Sequence, residues 1–514
     1  MAFGAAVGLA FHAALLSFFP RLASDELLMA DLLVGLLAFP WRRLRWRAGR
    51  VLVVRVVLAL LVFLLYAAFV DRHQTPQGWD PAFHVLLVEK LAQGIRPETW
   101  EPWEPVRVHY TLGADALVAL VVRTTSLPPH EAFADLFPFA YSFLTVMAFG
   151  AFRRAARSRL VALYATIALV FLAGEIRLVY HWGGLSTVIA LAIALGAAQA
   201  RSVVAGGVSL GLLPYVHHLT ALIVWCSALV LRNRAVLRAL GVAVLVALPL
   251  VPSVLGGLHD AGTTSIFKFE DEPMRTPLQY FWSKGHWGWG PVLVSLAVLG
   301  LGVRKRPRAA LTVLLFLVGA HLVLDVGVRL ASQLFLHEEF AALTPSRWFQ
   351  LASVPLALFA GRGALYLLPR RKHLLLVVVW LAVASIPFNR WEERELGIDP
   401  ELFDLALWTK VQIPEDALVV VRARGLSVGE LPDRYWWPYL LDHETDQTPL
   451  PASEPRLDPR VLSKRALISD PEAARAYARS RGKKLYWLVP SWVPPAPGAT
   501  RLDVFRSKVA LDGE

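Results

Sequence analysis

One cysteine in 514 residues, Cys226 inside an apolar run, removes disulfides and cysteine-held metals from the outset. Internal repeats are also missing, and so are a P-loop and a glycine-rich phosphate fingerprint. The first apolar run, 3–19, carries His12 and has neither a basic start nor a small-residue cleavage site. It reads as a retained span and not as a signal peptide. Acids are absent from five basic hairpins: "RRLRWRAGR" (42–50), "RRAARSR" (153–159), "RNRAVLR" (232–238), "RKRPR" (304–308) and "RRK" (370–372). A net charge of +12 gathered in such short turns is not a nucleic-acid stripe, and no nucleic-acid partner is expected.

What is present is hydrophobic. The chain is 56% apolar and 18% charged, with a mean hydropathy of +0.49, and long apolar runs recur from Phe3 to Pro387. The expected fold class is a polytopic α-helical membrane protein of about thirteen spans. They fall near 3–19, 25–40, 51–70, 131–152, 159–174, 183–200, 203–216, 217–231, 235–256, 289–303, 309–329, 346–369 and 373–388. The stretch 203–231 makes either two short spans or one long one. Acids collect in the loops that alternate with the basic hairpins, so the positive-inside rule puts the hairpins in the cytoplasm and the acidic loops outside. Counting "LGADALVALVVRTTSL" (112–127) as a span would turn the hairpin 153–159 outward. It is therefore expected to stay at the outer face, within one large loop covering 71–130.

Beyond Pro387 the composition changes. Residues 389–514 hold 18 Lys and Arg against 20 Asp and Glu. "DPELFDLALWTKV" reads as a helix capped by Asp399, and "DALVVVRA" as a buried strand. "DPEAARAYARSRGKKLYWLVPSW" reads as a second capped helix, a glycine stop and another strand. The division is thus a membrane domain, 1–388, and a small extracytoplasmic α/β domain, 389–514.

The acidic loops also hold the candidate site. In "GWDPAFHVLLVEKLAQGIRP" (78–97), Asp80 precedes Pro81 at a helix start, where it is a good N-cap, and His84 follows one turn later on the same face. Glu175, Arg177 and His181 belong to the next outer segment. His217 and His218, His259 and Asp260, and His337, Glu338 and Glu339 stand at other outer span ends. Arg347 opens the long apolar run "SRWFQLASVPLALFAGRG". Its fork matches phosphate oxygens, although an arginine there can also snorkel to lipid headgroups. Tryptophans 79, 100, 103, 182, 282, 287, 289 and 348 read mainly as an interfacial aromatic belt, with stacking on sugar rings as the alternative.

These stretches together resemble the GT-C membrane glycosyltransferases. The resemblance lies in "GWDPAFHVLLVEKLAQG" continuing to "WEPWEPVRVHYTLGADALVAL", in "YVHHLTAL", in the late run beginning "SRWFQLASVPLALFAGRG", and in "LWTKVQIPEDALVVV" followed by "YWWPYLLDHETDQTP". It implies a sugar transferase of the cell membrane that takes a polyprenyl-phosphate-linked donor among membrane lipids and serves a glycan or glycolipid acceptor. Asp80 would be the catalytic first-loop acid and Arg347 the donor-phosphate ligand. His84, Glu175, His181, His218, Glu338 and Glu339 would be supporting groups. A divalent ion, magnesium or manganese, held by Asp80, Glu175 and Glu338 or Glu339 is one option, and metal independence the other. "AGEIRLVYHWGG" lacks the paired acids of oligosaccharyltransferases, and no "WWD"-type motif is present, so protein N-glycosylation is not expected. Two rivals stand beside the transferase. One is a transporter or flippase of a lipid-linked sugar, hinted at by Asp325 and Arg329; the other is a scaffold that has lost its chemistry.

Overall fold

The computed structural model describes residues 2–22, 50–70, 80–99, 108, 110–177, 179–252, 267–269, 289–303, 307–336, 340–342, 345–367, 400–422, 439–445 and 470–513. The spans expected at 25–40 and 373–388 lie outside these. So do the structural roles expected of Asp399, His259, Asp260, His337, Glu338 and Glu339. Among the described residues the chain is mostly helical, with a small sheet near its C-terminus.

The bundle begins with α1 (Ala2–Phe18) and α2 (Arg50–Val70), followed by two shorter helices, α3 (Asp80–Ala92) and α4 (Gly113–Thr125). Next come α5 (Pro129–Ala156), α6 (Arg159–Ile167) running into a π-turn (Ala168–Leu172), and the one-turn α7 (Gly174–Arg177). A 3₁₀ turn (Val179–Trp182) leads to α8 (Leu185–Ala197), α9 (Val203–Val216), α10 (His218–Val230) and α11 (Arg234–Ala247). The last group is α12 (Pro291–Gly302), α13 (Arg308–His321), a π-turn (Leu322–Gly327), α14 (Val328–Leu336) and α15 (Pro345–Leu367). Two stretches, Pro129–Ala156 and Arg308–Phe335, are long and apolar enough to cross a membrane, and seven shorter apolar helices accompany them among the described residues.

Two of the basic hairpins, 153–159 and 232–238, lie wholly among the described residues, and both carry a helix N-cap. Ser158 accepts a hydrogen bond from the Val161 amide and Asn233 from Ala235 and Val236, while Ser202, in the turn before α9, accepts from Ala205. The hairpin 153–159 meets the turn before α9. Arg154 donates to the Ala200 carbonyl at 2.7 Å, and Gln199 to that of Met147 at 3.0 Å. Small residues let the helices close up in between. A Cβ on Gly300 or Gly363 would run into the backbone of the facing helix, which is how α12 and α15 pack.

At the other end lies α4. Gly113 lies against the Tyr215 carbonyl, and Arg123, near the helix's far end, donates to Pro20 just beyond α1. Both ends of α4 therefore sit by the C-terminal ends of α1 and α9. The stretch 203–231 resolves into two helices because His217 is extended (φ −158°, ψ 103°) and caps α10 with its own ring. The span expected at 309–329 is longer than that. It continues through the π-turn to Leu336, beyond the ~30 Å of a hydrocarbon core at ~1.5 Å per residue.

In the C-terminal domain α16 (Pro400–Gln412) and α17 (Pro471–Ser480) accompany a five-stranded sheet. Two short strands earlier in the chain, β1 (Phe267–Phe269) and β2 (Phe340–Ala342), pair antiparallel. The sheet comprises β3 (Leu418–Val421), β4 (Glu444–Thr445), β5 (Leu485–Pro490), β6 (Thr500–Phe505) and β7 (Val509–Gly513), in the order β4-β3-β5-β7-β6. β3 runs parallel to β4 and β5, and β7 antiparallel to β5 and β6. All four residues of β3 are buried, as an inner parallel strand requires. Asp470 caps α17 by accepting from the Glu472 amide. The expected helices and strands of this domain stand where the patterning put them.

Candidate active site

The candidate residues meet where several helices begin. α3 starts at Asp80 and Pro81, α4 at Gly113, α10 at His218 and α15 at Pro345. Direct contacts join the first three starts: His84 to Asp115, the Thr111 hydroxyl to the Val216 carbonyl, and the Tyr110 ring to His218. Helix N-termini carry partial positive charge and unpaired N–H groups.

His84 is turned inward and is 2% exposed. Its Nδ1 lies 2.7 Å from Oδ1 of Asp115, a fully buried carboxylate in the first turn of α4. Oδ2 of Asp115 has no hydrogen-bond partner among the described residues. Burial pushes the Asp115 carboxyl above the usual carboxylate range, while the charge of His84 and its hydrogen bond pull it back. With Asp115 ionised, Nδ1 of His84 carries the proton and Nε2 is the basic nitrogen. The ring is held in plane by Phe133, centroids 5.6 Å apart, and edge-on by Tyr110 at 5.2 Å.

Tyr110 leads on to the histidine pair. Its ring meets His218 edge-on at 5.9 Å, and His218 stacks on His217 at 5.8 Å. Nδ1 of His217 accepts from the Thr220 amide at 3.0 Å, which leaves Nε2 to carry the ring proton as a donor. The charges that act on buried His217 are those of His218, Arg347 and His84, so the groups expected at separate span ends share one neighbourhood.

Arg347 is the third residue of α15 and half-buried. It donates to Oε1 of Gln350 at 3.2 Å, and Nε2 of Gln350 donates to the Glu175 carbonyl at 2.8 Å. Gln350 is thus oriented from both sides and ties α15 to the segment 174–184. That segment is gripped through its backbone. The Tyr141 hydroxyl donates to the carbonyls of Ile176 (2.6 Å) and Arg177 (3.1 Å), and Tyr66, stacked on Tyr141 at 3.8 Å, reaches Arg177 at 3.3 Å. Gly183, at φ +83°, lies against the Pro81 ring, where any Cβ would collide. The start of α3 is thereby seated on the segment 174–184.

No protein-family model matches the chain, and no curated relative does. Its fold can be compared with two cryo-EM structures of the arabinofuranosyltransferase AftD from Mycobacteria, one of them a mutant. The identities are 12% and 13%, the TM-score is 0.49 for both, and each alignment covers 89% of this chain. The chain spans about two-fifths of those proteins, 41% and 39% of their lengths.

Among the expected site residues, His84, His218 and Arg347 converge, and Glu175 is buried beside Gln350. The side chains of Asp80 and His181 lie outside the described residues, as do Glu338 and Glu339. Among the described residues no three His, Cys, Asp or Glu side chains group to hold a metal. Two tryptophans expected in the interfacial belt are core residues instead. Trp289 stacks on Phe349 at 3.8 Å and donates to its carbonyl, and Trp348 is 5% exposed. Their indoles find partners inside the bundle, which removes the reason for a place at the interface. Sequence reasoning missed Asp115 and Gln350. The first had a signal, a carboxylate in an otherwise apolar helix start.

Proposed function

We propose that this chain is an integral membrane glycosyltransferase. It moves a sugar from a polyprenyl-phosphate-linked donor to an extracytoplasmic glycan or lipid acceptor, with inversion. The observation that carries this reading is the meeting of Arg347, held by Gln350, with His217 and His218 at helix N-termini. Cationic and N–H donor groups in such a place suit a phosphate. They lie at the end of α9 away from the hairpin 153–159, the end that the positive-inside rule assigns to the exterior. Nucleotide sugars are generally unavailable there, so a lipid-linked donor is the consistent choice.

In this mechanism Arg347 holds the leaving phosphate. The acceptor oxygen attacks the anomeric carbon as the bond from that carbon to the phosphate oxygen breaks, and the lipid phosphate leaves with the electron pair. Asp80, at the first position of α3, orients the acceptor hydroxyl or takes its proton. A positioned base contributes about 10²–10⁴ in rate. The large outer loop and the C-terminal domain are extracytoplasmic in this reading.

The test is sugar transfer by the full chain in lipid vesicles, offered polyprenyl-phosphate sugars and membrane glycolipid acceptors, against Asp80→Asn and Arg347→Ala. Product from the wild type that is lost in both folded variants supports the reading. Movement of the lipid-linked sugar across the bilayer with no new glycosidic bond would replace it with transport, which the buried Asp325–Arg329 pair in a long span favours. Donor binding without turnover or movement would leave a scaffold.

A further inference from the structure

Resting on the transferase reading, we propose that His84 is the base that receives the acceptor's proton and that Asp115 is its positioning residue. Asp80 is then left to orient the acceptor hydroxyl. The pair has the geometry such a division needs. Asp115 comes from a different helix, is fully buried, and meets Nδ1 at 2.7 Å. Its other oxygen is unpartnered among the described residues, so the carboxylate's one strong contact is with the ring. Nε2 of His84 makes no hydrogen bond among the described residues and is the ring's one basic nitrogen. Phe133 and Tyr110 hold the ring plane, which fixes the direction in which Nε2 points.

A histidine that exists only to fill a core has no need of a buried carboxyl partner from another helix. Burying that partner costs energy that a phenylalanine would avoid. The groups around the ring also match the step. Asp115 is the anion that stabilises an imidazolium once formed. His217, on which the charges of His218, Arg347 and His84 act, places further polar groups in the same neighbourhood. Tyr110 meets the ring by its edge.

The step balances as follows. The acceptor O–H proton passes to Nε2 of His84, and the freed oxygen forms the bond to the anomeric carbon. The carbon–oxygen bond to phosphate breaks, its electron pair staying on the phosphate oxygen. His84 becomes an imidazolium between Asp115 and the new glycoside and returns its proton to water after release.

The experiment compares wild type, His84→Gln and Asp115→Asn as full chains in vesicles, reading kcat, KM for the donor, donor-lipid binding and the pH–rate profile. His84→Gln is expected to lower kcat by about 10²–10⁴ with donor binding kept within about twofold. Asp115→Asn removes the anion that favours the imidazolium, so the acid limb of the profile should move to lower pH while kcat falls. Unchanged kcat in His84→Gln, or an unmoved limb in Asp115→Asn, would overturn the proposal. Should His84→Gln fail to fold, the nearly isosteric Asp115→Asn decides by its limb alone. A wild type that binds the donor lipid but forms no product sinks the transferase reading and this proposal together. Failure of the base alone shows itself differently, as a working wild type matched by His84→Gln.

Discussion

Two buried acid–base pairs in this protein look alike and are built oppositely. Asp325 and Arg329 lie one turn apart at the π-turn between α13 and α14, 2.6 Å from Nε to Oδ1, both about 95% or more buried. His84 and Asp115 are as close, at 2.7 Å, but belong to different helices 31 residues apart. The first pair closes within one helix around a guanidinium that never loses its charge, with His321 Nε2 3.8 Å from the other Asp325 oxygen. The second exists only if α3 and α4 dock, and its nitrogen partner is an imidazole with a second ring nitrogen to spare. Local pairing to a permanent cation suits neutralising a buried carboxylate; long-range pairing to an imidazole suits moving a proton.

The surroundings sharpen the contrast. Around Arg329 the helix is inverted relative to a soluble one. Asp325, Arg329 and Ser332 are buried, whereas Val323, Leu334 and Phe335 are 65%, 72% and 80% exposed, as lipid contact demands. Around His84 the neighbours are aromatic rings and further histidines.

The strongest way to break this comparison is to remove one partner of each pair. Arg329→Met leaves the buried Asp325 carboxylate with His321, 3.8 Å away, as its remaining basic neighbour and should cost about 3–5 kcal/mol, seen as a large fall in the thermal midpoint in detergent. Asp325→Leu with Arg329→Met should restore most of that stability and keep transfer activity within about threefold. If the double variant is as unstable as the single one, the pair is more than charge neutralisation. Gly183→Ala comes next. Its strain and its collision with Pro81 should shift the start of α3, costing about 10²-fold in kcat with a smaller stability loss. Arg347→Lys should weaken donor-lipid binding by about tenfold, because an ammonium replaces the fork that Gln350 orients.

The smallest effect concerns a half-buried acid. Glu89, further along α3, is pushed up to about 7 by burial first and by the Asp442 charge second, with Lys410 opposing. A carboxyl raised in the folded state favours its protonated form there. Its stabilising contribution is complete below the ordinary value near 4.5, declines as pH rises to about 7, and is flat above. Docking of the C-terminal domain, which also joins His130 to Tyr439 at 2.8 Å, should loosen over that window by hydrogen exchange. Glu89→Gln should remove the pH dependence.

Much of the fold was legible along the chain because its causes are local. Apolar runs and a cap such as Asp470 act within one helical turn, so most of the described helices and the elements of the C-terminal region could be placed from residue types alone, whereas the caps Ser158, Ser202 and Asn233 emerged only in the structure. His84, His218 and Arg347 were legible as candidates because polar groups at span ends are costly. That Trp289 and Trp348 are core residues was not, since a tryptophan's surroundings depend on which helix packs over it.

By itself the sequence determined where helices start and stop, which ends are basic, and which polar residues deserve suspicion, all through short-range sterics and hydropathy. Only the tertiary structure decided that His84 turns inward to Asp115, and that Gln350 bridges Arg347 to a carbonyl 175 positions away. The physical reason is that such bonds cost chain entropy to close and form only when many packed contacts offset it together, so no single stretch records them.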